Sequence, residues 1–290
     1  MRQLRWALLW VAFLPAWTGA PDEIVFESGI EYSRPGGEAL QLDLARPKSP
    51  AGKCPAILCI HGGGFRAGKR EGWDGRCKML ADRGYVAATV TYRLAPKFPY
   101  PAAIHDVKAA VRWLRASAEK YSIDPGKIGV TGDSAGGHLA QFLGVTGGVE
   151  RFEGEAEGGN PGVSSRVRCV VNWYGPSDFT KSYGKSVDAA EVLPLWLGGD
   201  DTKEHPKHIE ASPLYWVTPA AAPTLLLHGT KDPYVAFEQA EWIRDRLQAA
   251  LVEVELVAFE GAGHGFKGAD AEKAQKAMVD FFDRHLKDVK

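Results

Sequence analysis

GDSAGGHLAQFL, Gly132 to Leu143, sets one serine among glycines where an apolar β-like run, KIGVT, gives way to a helical one. A strand that feeds a helix through a tight turn can push the serine hydroxyl out at the sheet edge, because Gly132 and Gly136 carry no side chains to collide there. The pattern G-x-S-x-G alone recurs by chance. A serine hydroxyl is a weak nucleophile near neutral pH, so a nucleophilic Ser134 needs a base, an orienting acid and an anion site from elsewhere in the chain.

The flanking segments alternate in type. Runs rich in β-formers (Ala56 to Ile60, Val86 to Thr91, Ile128 to Thr131, Val167 to Asn172, Thr224 to His228, Val252 to Phe259) are separated by helical patterns at Gly72 to Arg83, Ala102 to Tyr121, Gly136 to Val145, Ala236 to Ala249 and Ala269 to Leu286. This βαβ rhythm, with strands apolar along their whole length, predicts an α/β fold with a mostly parallel central sheet and helices on both faces. Ile24 to Tyr32 and Leu40 to Leu44, split by Pro35-Gly36-Gly37, predict an N-terminal antiparallel hairpin leading into the sheet. Two stretches break the rhythm. Gly147 to Ser165, rich in glycine and glutamate, reads as an exposed loop. About 177–219, a mixture of aromatics, prolines and charges, reads as a small cap insertion over a cleft at the carboxyl ends of the strands.

Two partners for Ser134 lie downstream. The run TLLLH leads into GTKDPYV and places Asp232 just past a strand end; EVELVAF leads into EGAGHGF and places His264 past the next. In this arrangement His264 removes the hydroxyl proton while Asp232 holds the imidazole in the useful tautomer. The imidazole must be neutral to accept a proton, so turnover is expected to fall on acidification. Asp232 has a rival reading as a turn former before Pro233. Asp178 and Asp200 are alternative acids, but neither follows a convincing strand. His61 and His228 adjoin strands and suit structural hydrogen bonds, while His138 lies in the helix after Ser134. HGGGF, His61 to Phe65, follows the strand AILCI, and its glycines let backbone N–H groups approach a substrate oxygen without Cβ obstruction. It lacks the G-K-[ST] ending of a phosphate loop.

A chain of 290 residues with 45% hydrophobic content can bury one large core, which favours a single domain over residues 21–290. The formal charge of -1, from 35 basic against 36 acidic residues, provides no field to attract nucleic acid or an anionic membrane. Arg2 and Arg5 precede an apolar run from Trp6 to Trp17 and the small residues Thr18, Gly19 and Ala20, the layout of a signal peptide over residues 1–20, so export to a periplasm or medium is expected, with no stable membrane anchor. Cys54, Cys59, Cys77 and Cys169 form no C-x-x-C, and only Cys54 with Cys77 is a candidate pair. His205 and His208 share helical spacing in a segment polar enough to predict a solvated surface, and no metal or other cofactor is called for.

Taken together, HGGGF, YRLAPKFPYPAAIHD (Tyr92 to Asp106), DPGKIGVTGDSAGG (Asp124 to Gly137), HGTKDP (His228 to Pro233) and GAGHGF (Gly261 to Phe266) make the chain resemble the α/β-hydrolase superfamily, specifically carboxylesterases of the hormone-sensitive-lipase-like branch, from about Ile24 to the C-terminus. The resemblance implies ester hydrolysis through an acyl-serine intermediate, with Ser134, Asp232 and His264 as triad and Gly63, Gly64 and Ala135 as oxyanion donors. Asp106, opening a helix, is expected only to cap it. One departure concerns substrate. Members of that branch usually carry a helical cap ahead of HGGG, whereas the residues between the leader and His61 read as strands. The chain is therefore also similar to compact exported esterases acting on acetylated or feruloylated plant polysaccharides, and an open cleft is expected. Trp173 and Tyr174, just past a strand end, are equally readable as walls of the acyl pocket or as core aromatics. A serine peptidase of the same fold and a non-catalytic binding protein are the rival functions. A dehalogenase would call for aspartate at position 134.

Overall fold

The computed structural model describes residues 23–154 and 159–287; the leader, residues 1–20, lies outside them. The chain enters through β1 (Ile24–Ser33) and turns at Pro35–Gly37 into β2 (Leu40–Pro47), antiparallel from Ile24↔Pro47 to Ser33↔Leu40, as the hairpin pattern predicts. It then alternates: β3 (Cys54–Ile60), α1 (Asp74–Ala81), β4 (Val86–Val90), α2 (Ala102–Ala116), α3 (Ala118–Tyr121), β5 (Ile123–Asp133), α4 (Ala135–Val145) and β6 (Cys169–Trp173). An excursion carrying α5 (Ala189–Leu197) and α6 (Asp201–Ala211) precedes β7 (Thr224–Gly229), α7 (Glu238–Ala249), β8 (Val254–Phe259) and α8 (Gly268–Leu286).

The strands lie in the order β1-β2-β4-β3-β5-β6-β7-β8, with β2 antiparallel to β4 and every later pair parallel. From β3 the chain steps outward to β4, then crosses back to β5 on the other side. The direction of winding therefore reverses between β3 and β5, and the loops leaving their carboxyl ends splay apart to open a crevice. HGGGF leaves β3 and the serine turn leaves β5, so topology alone makes them neighbours.

Side-chain alternation explains why the strands read as unbroken apolar runs. In β3, Ala56, Leu58 and Ile60 pack with Val107 and Val111 of α2 and Leu139 of α4, while Ile57 and Cys59 face Leu80 of α1 and Met278 and Phe282 of α8. Both faces are covered, so both sets must be apolar. The same alternation separates Cys54 from Cys77: the first belongs to the α2/α4 side, the second to the α1/α8 side, and no disulfide joins any of the four buried thiols.

The excursion is helical and firmly packed. Asp178 and Asp200, the alternative acids, are turn and helix starters: Asp178 accepts the N–H of Thr180, and Asp200 those of Thr202 and Lys203. Trp196 of α5 stacks on Phe65 of the HGGGF loop with centroids 3.7 Å apart and planes 4° apart, and meets His138 of α4 edge-on at 5.4 Å. His138 in turn donates from Nε2 to the carbonyl of Ala211 at 2.7 Å. The prediction for the paired histidines is half right. His205 is exposed, but His208 is fully buried, donating from Nδ1 to Glu204 O and accepting the Tyr183 hydroxyl. The helix kinks at Glu204 (φ -123°), just ahead of both histidines. Among the described residues, no helix is long and apolar enough to cross a membrane.

Candidate active site

Ser134 sits between β5 and α4 at φ 52°, ψ -120°, a conformation that costs a non-glycine residue roughly 1–3 kcal/mol. The surroundings hold it there. Its N–H donates to Trp173 O of the adjacent strand and its carbonyl accepts the N–H of His138, each at 2.9 Å. The turn also brings α4 against β3: a Cβ on Gly136 would lie 2.1 Å from Ile60 O, so no larger residue fits without moving backbone.

The two downstream loops meet at this turn. Ser134 donates its hydroxyl hydrogen toward His264 Nε2 at 2.9 Å, and His264 Nδ1 donates to Asp232 Oδ2 at 2.7 Å. The carboxylate is itself immobilised, since its Oδ1 accepts the backbone N–H groups of Tyr234 and Val235, both at 2.9 Å. The same carboxylate thus holds both its own turn and the His264 ring. His228 and His61 do make structural bonds, from Nε2 to Val235 O and from Nδ1 to Gly62 O. Burial lowers the pKa of both from the ordinary histidine value.

Gly63, Gly64 and Ala135 line the same cleft as Ser134 and His264. Gly63 has φ 114°, and a Cβ there would fall 2.2 Å from Ala67 O, so the loop requires glycine at that point. Ala135 is the first residue of α4, and its N–H is one of the donors that a helix leaves without an internal partner. A residue that sequence reasoning overlooked locks these parts together. Asp133 Oδ1 accepts the N–H of Gly62 at 3.0 Å and the indole N–H of Trp73 at 2.9 Å, fastening the HGGGF loop to the serine turn. Its position just ahead of Ser134, at the end of a strand bordering HGGGF, was the available signal.

The cleft holds about 420 Å³, within the roughly 300–1,000 Å³ of small-molecule sites. One wall is apolar, from Phe65 and from Ala189, Val192 and Leu193 of α5; the mouth is polar, with Lys185, Ser186 and Asp188, and buried Gln239 lies deeper in the lining. The excursion between β6 and β7 thus lines part of the cleft, held by an Arg66–Glu191 ion pair and by Gln239, which accepts the N–H groups of Ser177 and Asp178.

Two expectations need correction. Trp173 does not line the cleft: it is 2% exposed in the α1/α8-side core, its indole donating to Thr131 Oγ1, because its place in β6 turns it to that face. Tyr174, at φ 44°, packs edge-on against His264 at 4.7 Å, outside the cleft lining. Asp106 is not a cap, since α2 begins four residues earlier. Its buried carboxylate accepts the backbone N–H, Nε and Nη2 of Arg93 and braces the loop after β4. Among the described residues, no cluster of His, Cys, Asp and Glu could hold a metal ion.

Against this geometry, the model of the BD-FAE family matches residues 42–247. The chain is 34% identical over 241 residues to the esterase LipC of Mycobacterium tuberculosis, covering 80% of this chain and 58% of LipC. It is 29% identical to the ethyl acetate hydrolase of Pseudomonas putida, with 90% and 82% covered. A carbohydrate esterase from gut microbiota superposes with a TM-score of 0.80 at 28% identity over 93% of this chain and 99% of that one. The chain spans between about half and three-fifths of the length of the mycobacterial relatives LipC, LipM and LipQ.

Proposed function

Because the chain belongs to the BD-FAE family of α/β-hydrolase esterases, we propose that it hydrolyses carboxylic esters through an acyl-serine intermediate, with Ser134 as nucleophile, His264 as base and Asp232 as its orienting acid. The observation that carries the reading is the unbroken chain of hydrogen bonds from Ser134 Oγ through both ring nitrogens to a buried carboxylate, opening on a cleft. Ser134 Oγ attacks the carbonyl carbon as its proton passes to Nε2. The developing oxyanion turns toward the amides of Gly63, Gly64 and Ala135, where loss of one such donor typically costs about 3 kcal/mol of barrier. Nε2 returns the proton to the departing alkoxide, and the mirror sequence with water releases the acid.

The likeness to a carbohydrate esterase supports acetyl or feruloyl esters on plant polysaccharides as the substrate class, and the leader-like residues 1–20 support export. On short-chain p-nitrophenyl esters, Ser134→Ala is expected to lower kcat at least about 10⁴-fold. Equal turnover by both proteins removes the triad.

A further inference from the structure

The mouth of the cleft carries an aromatic ring beside the base. Tyr234 is 46% exposed, and its ring centroid lies 5.3 Å from that of His264. A single exposed aromatic needs no explanation by itself; its position does. Its backbone N–H is bonded to Asp232, so the ring is carried by the same rigid loop as the acid. Val187, also exposed, donates its N–H to Pro233 O at 3.0 Å, which ties the cap to that loop. Beside them Lys185 and Glu238 pair at 2.7 Å, and Ser186 donates to Asp188 at 3.1 Å.

Proton bookkeeping decides which half of an ester meets this ring, given the ester-hydrolase reading above. The bond from carbonyl carbon to Ser134 Oγ forms, the bond to the alcohol oxygen breaks, and the proton taken by His264 Nε2 is delivered to that oxygen. The alcohol oxygen must then come within hydrogen-bond reach of Nε2. Two tyrosine rings pack on the imidazole, Tyr174 at 4.7 Å and Tyr234 at 5.3 Å, and of the two Tyr234 lines the cleft, so a substituent that passes the imidazole within the cleft meets Tyr234, while the acyl group is left with the apolar wall of Phe65, Val192 and Leu193. We propose that Tyr234 determines specificity for the alcohol, serving as a platform on which the pyranose ring of an O-acylated sugar stacks, with Lys185, Ser186 and Glu238 as polar partners for its hydroxyls. A sugar ring presents an apolar C–H face and a hydroxylated edge. A small aliphatic alcohol presents neither at that size and gains little from the platform.

The test compares two acetates, a mono-O-acetyl methyl xylopyranoside and ethyl acetate. Both yield the same acetyl-enzyme, so the ratio of their kcat/KM values reports the alcohol alone. In Tyr234→Ala the ratio of sugar to ethyl ester should fall at least about tenfold, the size of a lost apolar contact. Tyr234→Phe, which keeps the ring, should hold it within about threefold. An unchanged ratio in Tyr234→Ala overturns the platform, as does a wild-type enzyme that cleaves ethyl acetate but not the sugar ester. Failure of the underlying reading looks different: wild type cleaves neither ester, or Ser134→Ala cleaves both as fast as wild type, and the platform then falls with its premise.

Discussion

Replacing Asp232 with asparagine exchanges one carboxylate oxygen for an amino group in a site where every hydrogen bond has a fixed direction. Oδ1 accepts the N–H groups of Tyr234 and Val235, and Oδ2 accepts Nδ1–H of His264. Asparagine can satisfy the two backbone donors only by keeping its oxygen toward them, which points its NH₂ at His264. Turning the amide round would set two backbone donors against a third, at roughly 1–3 kcal/mol for each group left unsatisfied. The less costly adjustment is at the imidazole: Nδ1 becomes the acceptor and the ring proton moves to Nε2. That nitrogen then donates to Ser134 and cannot take its proton. The expected loss is about 10⁴-fold in kcat, or about 5 kcal/mol of barrier, with melting temperature little changed because the packing is isosteric. Steady-state hydrolysis of p-nitrophenyl acetate by purified wild type and Asp232→Asn measures it. A variant that keeps more than about a tenth of wild-type kcat refutes the tautomer argument and with it the role assigned to Asp232.

Gly136→Ala should lose at least about 2 kcal/mol in denaturant titration, because its methyl group meets the carbonyls of Ile60 and His61 at 2.1 and 2.6 Å; wild-type stability would contradict the close approach of α4 to β3. His138, fully buried among Phe65, Phe179 and Trp196, has its pKa pushed down to about 3 by burial. In the unfolded chain a histidine takes up its proton as pH falls through about 6.5, whereas folded His138 resists until near 3, so stability drops across that window. From pH 7 to 4.5 this one group should contribute a loss of roughly 2–3 kcal/mol. Urea titrations of His138→Phe should show a correspondingly smaller pH dependence, and the same slope as wild type would deny the group its effect. Prolonged dialysis against EDTA should leave ester turnover intact; a loss reversed by zinc or calcium would reveal a metal requirement.

Much of this fold is legible along the chain because its determinants are local. Alternating apolar runs and helical patterns report strands buried on both faces and the helices that cover them, and the observed elements β3 to β8 fall on those runs with only their ends adjusted. Ser134, Asp232 and His264 could be singled out because each stands just past a strand end, where a doubly wound sheet gathers its loops. What local pattern could not supply is direction and partnership over long separations. That Trp173 turns into the core follows from the face its place in β6 presents, and His208 is buried where Tyr183, 25 residues earlier, comes to bond its ring. Asp106 looks like a cap until Arg93, 13 residues earlier, comes to meet it, and Asp133 looks like a spacer until Gly62 and Trp73 arrive from 71 and 60 residues away. The polar mouth depends likewise on the segment after β6 settling against the loop of Asp232, where Val187 bonds Pro233. Sequence specifies which residues can do chemistry; the winding of the sheet, reversing between β3 and β5, settles which of them share one cleft.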